Sequence, residues 1–227
     1  MTGARARARE ALTEDIKALA RRQLAEGGAG ELSLRQIARE LGMVSSAVYR
    51  YFASRDELLT ALIVESYDAV GTVAEAAAED RRGGFTARWL RVATAIRSWA
   101  IANPHDYALI YGTPVPGYRA PQDTVPAAIR ISAVALGLVA DAVAAGEVDS
   151  ATTMSIPRVV RRDLATIRDA IATGVPDDVL SRGLLAWTMM FGTISFELFG
   201  HLHGAITDYD AFFEVQVRRA AAVVLHG

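Results

Sequence analysis

Apolar residues recur every three to four positions along most of the chain, and short polar or glycine-containing segments interrupt them. This spacing places apolar side chains on one face of a helix. No segment alternates apolar and polar residues for the length of a strand. The pattern predicts an all-α protein, and the 42 alanines agree because alanine is the strongest helix former.

Capping residues, glycines and prolines mark where the predicted helices begin and end. The first helix is predicted from Thr13 to Gly27, and two short helices follow over residues 33–41 and 45–52. The remaining helices are predicted at 54–78, 85–103, 104–112, 126–145, 157–172, 177–203 and 208–225. In the helix over 85–103 the buried face is predicted to exclude Arg97. The best candidate for a linker is Arg81–Gly84.

Charge is distributed unevenly. Residues 1–56 carry 10 basic and 7 acidic residues, whereas the remaining 171 carry 14 and 19. A basic N-terminal part on an acidic body favours a polyanionic partner for the N-terminal part. Arg5, Arg7 and Arg9 could lie along phosphates or enter a minor groove, or they could form a solvated, disordered tail.

Several classes of protein are excluded by what the sequence lacks. It has no cysteine, which excludes disulfides and cysteine-ligated metals and fits a cytoplasmic location. Gly183–Phe196 is uncharged but shorter than the roughly 20 residues that span a bilayer, so we interpret it as a buried helix and expect no membrane association.

Catalytic motifs are also absent from the sequence. There is no phosphate-binding glycine loop, no Gly-x-Ser-x-Gly and no His-Glu-x-x-His. His201 and His203 would lie on opposite sides of a helix, so they could not share a metal ion. We therefore expect a protein that is not an enzyme and that has no cofactor and no metal.

The segment 34–52 has the pattern of a helix-turn-helix. Ala38 is small enough for two helices to cross closely, and Gly42 can adopt a positive φ in the turn. The apolar residues placed to bury the inner faces are Ile37, Leu41, Met43 and Val48. A second helix presented in this way fits the major groove of DNA, which is about 12 Å wide.

Other pairs of short amphipathic helices would share this spacing. Three further features favour DNA binding: the basic surroundings, the capping boxes that begin at Ser33 and Ser54, and an outward face without carboxylates. The residues on or beside that outward face are Ser45, Ser46, Ala47, Tyr49 and Arg50.

Residues 12–63, especially SLRQIARELGMVSSAVYRYFASRDELLTALI, resemble the N-terminal DNA-binding domain of the TetR family of bacterial transcriptional regulators. The Tyr-x-x-Phe ending followed by Ser-Arg-Asp-Glu-Leu-Leu is specific to that family. Residues 85–203 resemble one common C-terminal class through NPHDYALIYGTPVPGY and AWTMMFGTISFELFGHL, although Phe191 stands where members often have His. The resemblance implies a three-helix DNA-binding domain over 1–56, joined by a long helix to a ligand-binding and dimerisation domain over 57–227.

The resemblance also implies roles for individual residues. Arg50 would contact a base edge, Ser45 and Ser46 a base or a phosphate, and Ala47 a thymine methyl group. The residues expected to bind phosphates are Ser33, Arg35, Tyr49, Tyr51 and Arg55. Val44 stands where the family usually has a Ser or Thr that caps the second helix, so we expect Ser45 or Ser46 to take the role of cap.

A small-molecule pocket in the larger domain is implied in the same way. The residues we place near it are Trp89, Trp99, Tyr107, Tyr111, Tyr118, Met190 and Phe191. Ordinary core packing is the alternative for these residues, because aromatic residues four positions apart, such as Tyr107 and Tyr111, commonly belong to a core.

The last two predicted helices are apolar on most of their sides, which indicates burial against a second subunit. The residues that we assign to the dimer interface are Leu184, Trp187, Phe199, Phe212, Phe213 and Val217. The core of a monomer would explain part of the same pattern.

We therefore interpret the sequence as a homodimeric, ligand-responsive repressor that binds a palindromic operator in double-stranded DNA and is released by a small-molecule effector. The alternative interpretation is a helical small-molecule-binding protein or an enzyme, in which the N-terminal domain has only a structural role. A DNA-organising protein that senses no ligand is a third reading.

Overall fold

The computed structural model describes residues 2–149 and 155–227, which contain ten α-helices and no strand, so the predicted all-α class is confirmed. The helices are α1 (Thr2–Gly27), α2 (Leu34–Glu40), α3 (Ser45–Val48), α4 (Arg55–Glu79), α5 (Phe85–Ala102), α6 (Pro104–Tyr111), α7 (Val125–Ala144), α8 (Arg158–Ile171), α9 (Asp177–Leu198) and α10 (Tyr209–His226). Single 3₁₀ turns at Ala29–Glu31 and Gln122–Thr124 precede α2 and α7.

The start of α1 and the ends of α3 and α9 differ from the prediction by several residues. Helix α1 begins at Thr2, because its first turns alternate alanine and arginine, which form helices well without showing an apolar stripe. Helix α9 ends at Leu198, where the Phe199 N–H bonds to the Ser195 carbonyl and Gly200 has a φ of 77°. His201 and His203 therefore lie in turns, and the prediction that they occupy a helix was wrong.

The chain folds into two compact units. The first consists of Met1–Tyr67 and Asn103–Ala127, and the second of Asp68–Ala102 and Ala128–Gly227. The segment predicted as a linker lies within the second unit, between α4 and α5. The division of function between residues 1–56 and 57–227 stays a prediction.

The first unit has one apolar core, built by helices α1 to α4. Its buried residues are Ile16, Ala20, Leu32, Leu34, Ile37, Ala38, Val48, Phe52, Leu58, Leu59, Leu62 and Ile63. Leu109, Ile110, Val115 and Tyr118, from α6 and the loop after it, pack against this core. The helix-turn-helix is thus held from outside its own sequence.

In the second unit α9 and α10 pack against each other, and both contact α5. Buried residues from three helices meet in this unit, among them Trp89 of α5, Ile194 of α9 and Val217 of α10. Gly183 allows α9 to approach α7 closely, because a Cβ atom there would lie 3.1 Å from the Val139 side chain.

Arg97 is buried, so the prediction that it lies away from the buried face of α5 was wrong. Its guanidinium donates two hydrogen bonds of 2.7 Å to Glu197 and one of 2.7 Å to Asp210, and it lies 5.1 Å from the centre of the Phe213 ring. A buried charge is tolerated when it is paired in this way. The ion pairs tie α5 to the end of α9 and the start of α10.

Two helical segments, 122–144 and 177–198, are long and apolar enough to cross a membrane by length and composition alone. In the most apolar 18-residue stretch of each segment, 39% of the first stretch and 44% of the second is buried inside the chain. Core helices of soluble proteins pass the same test, so the observation is weak evidence for a membrane span.

Candidate nucleic-acid interface

The turn between α2 and α3 depends on Gly42. Its φ is 65°, a left-handed conformation that residues with a Cβ atom adopt at a cost. The Gly42 N–H bonds to the Arg39 carbonyl at 3.1 Å, and the Met43 N–H bonds to the Ala38 carbonyl at 2.9 Å. These bonds end α2 and reverse the chain toward α3, so the predicted role of Gly42 in the turn is confirmed.

The two helices cross over a small, closely packed centre. Ile37, Ala38 and Val48 have no exposed side-chain surface. Helix α3 is shorter than predicted, because after Val48 the Tyr51 N–H bonds to the Val48 carbonyl in a tighter turn. The buried Phe52 closes that turn and anchors it in the core.

Ser33 caps α2, as its capping-box pattern predicts, but the box is completed by a different residue. The Gln36 N–H donates to the Ser33 hydroxyl at 3.4 Å, while the Gln36 side chain bonds to Glu40. The Ser33 N–H donates instead to the Gln23 side chain of α1 at 2.9 Å. A long-range contact therefore replaces the local one and fixes α2 to α1.

Ser54 caps α4 as predicted, and the Glu57 carboxylate accepts from the residue before the cap. The Glu57 N–H donates to the Ser54 hydroxyl at 3.1 Å, and the Glu57 carboxylate accepts from the Ala53 N–H at 2.6 Å. This start determines the direction in which α4 leaves the helix-turn-helix.

Val44 is the N-cap of α3, and no side chain caps this helix. The prediction that Ser45 or Ser46 takes that role was wrong, because the helix already includes both residues. Val44 is also 71% exposed, the largest fraction among the exposed large apolar residues. Beyond being a poor cap, Val44 offers an exposed apolar side chain of the kind that contacts a thymine methyl group.

The outward side of α3 is open and polar. Ser45, Ser46 and Arg50 are exposed, and Tyr49 is 43% exposed. Ala47, Tyr51 and Arg55 are half-buried, and Arg35 of α2 is exposed. Hydroxyl groups and guanidinium groups of this kind donate hydrogen bonds to bases and phosphates. Helix α3 and the turn after it carry no carboxylate that would repel DNA.

One residue beside this surface has a contact that the sequence does not indicate. The Arg9 guanidinium lies over the Tyr51 ring, 5.2 Å from its centre, and its Nη2 atom is 3.5 Å from the Arg50 carbonyl oxygen. The start of α1 therefore lies beside the end of the helix-turn-helix. Because residues 9 and 51 are far apart in the chain, no local pattern signals their contact.

Three predicted ligand-binding residues, Tyr107, Tyr111 and Tyr118, lie in the first unit. The Tyr107 and Tyr111 rings are 5.1 Å apart, and Tyr67, which sequence analysis did not select, meets Tyr111 edge-on at 6.1 Å. Burial, followed by the neighbouring Tyr67 and Tyr107, raises the pKa of Tyr111, so its hydroxyl stays neutral. The Tyr118 hydroxyl is hydrogen-bonded to Thr60 at 2.9 Å.

The other four predicted ligand-binding residues lie in the second unit. Trp89 stacks on Phe85 at 5.6 Å, and Phe191 contacts Trp187 at 5.2 Å. Trp89, Met190 and Phe191 are buried, and Trp99 is half-buried. A separate cavity of about 300 Å³ in this unit is lined by Ile156, Asp178, Ser181, Arg182, Leu185, Val223 and Gly227, none of which was predicted.

The residues assigned to the dimer interface fall into two groups. Leu184, Trp187 and Phe212 are half-buried and Phe199 is 43% exposed, so these four reach the surface of the chain. Phe213 and Val217 are 2% and 0% exposed because they fill the core against α5 and α9, so they are not available to a partner. The apolar side chains that α9 and α10 expose instead include Leu185, Phe196 and Val215.

Family models match most of the chain. Residues 16–62 match the model of the bacterial regulatory proteins of the tetR family. Residues 89–220 match the model of a tetracyclin repressor-like C-terminal domain.

Curated relatives match over nearly the full length. The HTH-type transcriptional regulators Rv1816 of Mycobacterium tuberculosis and Mb1846 of Mycobacterium bovis are each 41% identical over 226 residues, which covers 98% of this chain and 96% of theirs.

Solved structures resemble the fold. The crystal structure of SCO4313 has a TM-score of 0.76 and 34% identity, over 94% of this chain and 97% of that chain. A tetR-family regulatory protein from Rhodococcus RHA1 has a TM-score of 0.65 over 93% of this chain and 96% of that chain. At 19% identity, that second likeness concerns the fold alone.

We predict that Gly42→Ala lowers the stability of the protein by about 1–2 kcal/mol, because alanine at a positive φ is strained. Gly137→Ala, in the interior of α7, is the matched control and should raise stability by about 0.5–1 kcal/mol. A Cβ atom would meet no atom within 4 Å at either position, so only the backbone conformation distinguishes them. Thermal unfolding followed by circular dichroism measures both, and shifts of the same sign would contradict this account of the turn.

Proposed function

The chain belongs to the TetR family of bacterial transcriptional regulators, and from this premise we propose that it binds an inverted-repeat operator as a homodimer and represses transcription until a small molecule releases it. The observation that carries the proposal is the exposed polar side of α3, which the buried crossing at Ala38 presents outward. Bacterial DNA lies in the cytoplasm, and we infer that the protein acts there. We assign no catalytic role to any residue.

We propose that α3 and the turn after it recognise the bases. Arg50 has the fork of donors that matches the two acceptors of guanine, and it is exposed in the turn that follows α3. Ser45 and Ser46 donate or accept at bases or phosphates, and Val44 and Ala47 offer methyl groups to thymine.

Contacts to phosphates would position the protein on the duplex. The residues proposed for them are Ser33, Arg35, Tyr49, Tyr51 and Arg55, of which Arg35 and Tyr49 are exposed. Such contacts contribute affinity without sequence information, so they act equally on any duplex.

We predict that Arg50→Ala weakens binding to the operator by about 1–3 kcal/mol but has little effect on binding to a random duplex, because it removes a contact to a base. Arg35→Ala is the control and should weaken binding to both duplexes similarly. Fluorescence anisotropy with an operator selected from genomic fragments measures both. If Arg50→Ala reduced the two affinities equally, Arg50 would contact the backbone instead.

Dimerisation is proposed through α9 and α10. Leu185 and Phe196 of α9 lie eleven residues apart, which places them on the same face of the helix, and Phe199 follows directly after the helix. These three residues are 43–53% exposed, and Val215 of α10 is 45% exposed. Large apolar side chains exposed in a row are typical of a protein interface. Two subunits related by a twofold axis would place two copies of α3 on the two halves of an inverted repeat.

Phe196→Arg is predicted to yield monomers and to reduce operator affinity by about tenfold or more, because one subunit engages a single half-site. Val159→Arg is the matched control, since Val159 is an exposed valine on α8 and lies outside the proposed interface. Sedimentation velocity and anisotropy provide the two readouts. A Phe196→Arg variant that remained dimeric would remove this face from the interface.

Release by a ligand requires that the ligand favour one conformation of the DNA-binding unit over another. Helix α6 is joined to α1 and α4 through Asp106, which accepts from Arg21 at 3.4 Å and from the Ser66 hydroxyl at 3.0 Å. Arg21 also donates to Glu65 at 2.6 Å. We propose that a ligand which displaces α6 acts on the helix-turn-helix through these hydrogen bonds.

A screen for compounds that raise the melting temperature of the protein identifies ligands of the native state. We predict that Asp106→Asn still binds such a compound and still binds the operator, but that the compound releases this variant less readily than the wild type. Glu40→Gln is the control, because Glu40 pairs with Arg22 of α1 without involving α6. Equal release of Asp106→Asn and wild type would contradict the role of Asp106.

A further inference from the structure

Helix α1 extends well beyond what the fold of the DNA-binding unit requires. The first fully buried residue of α1 is Ile16, and Leu12 packs against the core one turn earlier, yet the helix begins at Thr2. Between Thr2 and Leu12 the helix carries three arginines, Arg5, Arg7 and Arg9, and one acidic residue, Glu10. The extension (residues 2–11) is therefore basic, and its residues 3–11 are exposed.

The position of Arg9 fixes where the extension lies. Its guanidinium stacks on Tyr51 and approaches the carbonyl oxygen of Arg50, as described above. Arg50 and Tyr51 are residues proposed to contact DNA. The part of the extension around Arg9 therefore lies at the edge of the proposed interface, and the residues before Arg9 lead away from it.

Arg5 and Arg9 share one face of α1, because residues four apart lie above one another on a helix. Arg7 is two positions from each of them and lies on the opposite side, where its Nε donates to the Gly3 carbonyl at 3.1 Å. Arg5 is exposed, and it has no ion-pair partner within residues 2–149 and 155–227. Arg5 and Arg9 thus form a pair of arginines on one side of α1, next to Arg50 of the helix-turn-helix.

We propose that Arg5 and Arg9 bind two phosphates, two base pairs apart on one strand, in the duplex that flanks each operator half-site, an inference that rests on the proposed function. The two residues are about 6 Å apart along the helix axis, close to the roughly 6.8 Å that two base pairs rise along one strand.

The helical conformation selects the phosphate backbone over the minor groove. A helix with its side chains is about 10–12 Å across, whereas the minor groove is about 6 Å wide. The extension therefore rests against the backbone and reads no base. It lengthens the DNA that each subunit covers without changing the sequence that the protein selects.

Salt dependence provides the test, because each phosphate contact contributes about 0.9 to the slope of log K against log salt concentration. Because two subunits bind each operator, Arg5→Ala should make the slope shallower by about 1.8, and Arg5→Ala/Arg9→Ala by about 3.6. The second change corresponds to an effect on affinity about 150-fold larger at 50 mM than at 200 mM salt. Arg7→Ala is the matched control and should leave the slope unchanged.

The binding partners are the selected operator with its natural flanks, the same operator trimmed to the half-sites, and the operator with G·C or A·T flanks. We expect the arginine effect to disappear on the trimmed duplex and to be equal for the two flank compositions. Alanine favours the helix, so the variants should keep their structure, which far-UV circular dichroism verifies. Arg5→Ala is the cleanest variant because Arg5 supports no other side chain.

Three results would overturn the proposal while leaving the proposed function intact. The first two are an unchanged slope for the double variant, and stronger binding to A·T than to G·C flanks that depends on Arg5. The third is an effect of Arg7→Ala equal to that of Arg5→Ala. DNA binding would then depend on the net charge of the extension and not on the side of α1 that the arginine occupies. If the wild type bound none of the duplexes with a salt-dependent affinity, the proposed function itself would fail.

Discussion

The close crossing of α2 and α3 at Ala38 is the constraint on which the DNA-facing surface depends. A larger side chain there would separate the two helices, and Gly42 supplies the left-handed turn that brings α3 back across α2. With Ile37, Ala38 and Val48 fully buried, the polar residues of α3 have no place except the outside. Packing density at one point thus determines which side chains meet DNA.

That crossing is supported by parts of the chain that lie far from it in sequence. Leu109 and Ile110 of α6 pack against the same core, and Asp106 is hydrogen-bonded to α1 and α4. The compact unit that contains the helix-turn-helix therefore includes residues 103–127. A sequence pattern cannot indicate this, because nothing near residue 106 specifies that its partners are Arg21 and Ser66.

The same distinction explains which features were predictable. The cap at Ser54 and the turn at Gly42 depend on neighbouring residues, and the sequence predicts both of them. Arg9, Arg97 and Phe213 depend on distant residues, and their surroundings were missed: Arg97 finds Glu197 and Asp210, Phe213 fills the core, and Arg9 stacks on Tyr51. Both kinds of contact matter for the site, so a motif alone describes it incompletely.

The uncapped start of α3 bears on how this protein would respond to selection for thermostability. Replacing a residue such as Val44 by one that caps a helix commonly gains about 1 kcal/mol, and Val44 moreover exposes 71% of an apolar side chain to water. A laboratory evolution experiment that rewards heat resistance alone would therefore find one of its easiest improvements here, at the edge of the recognition surface. With Val44 in the proposed contact with thymine, the gain in heat resistance would come with altered operator preference.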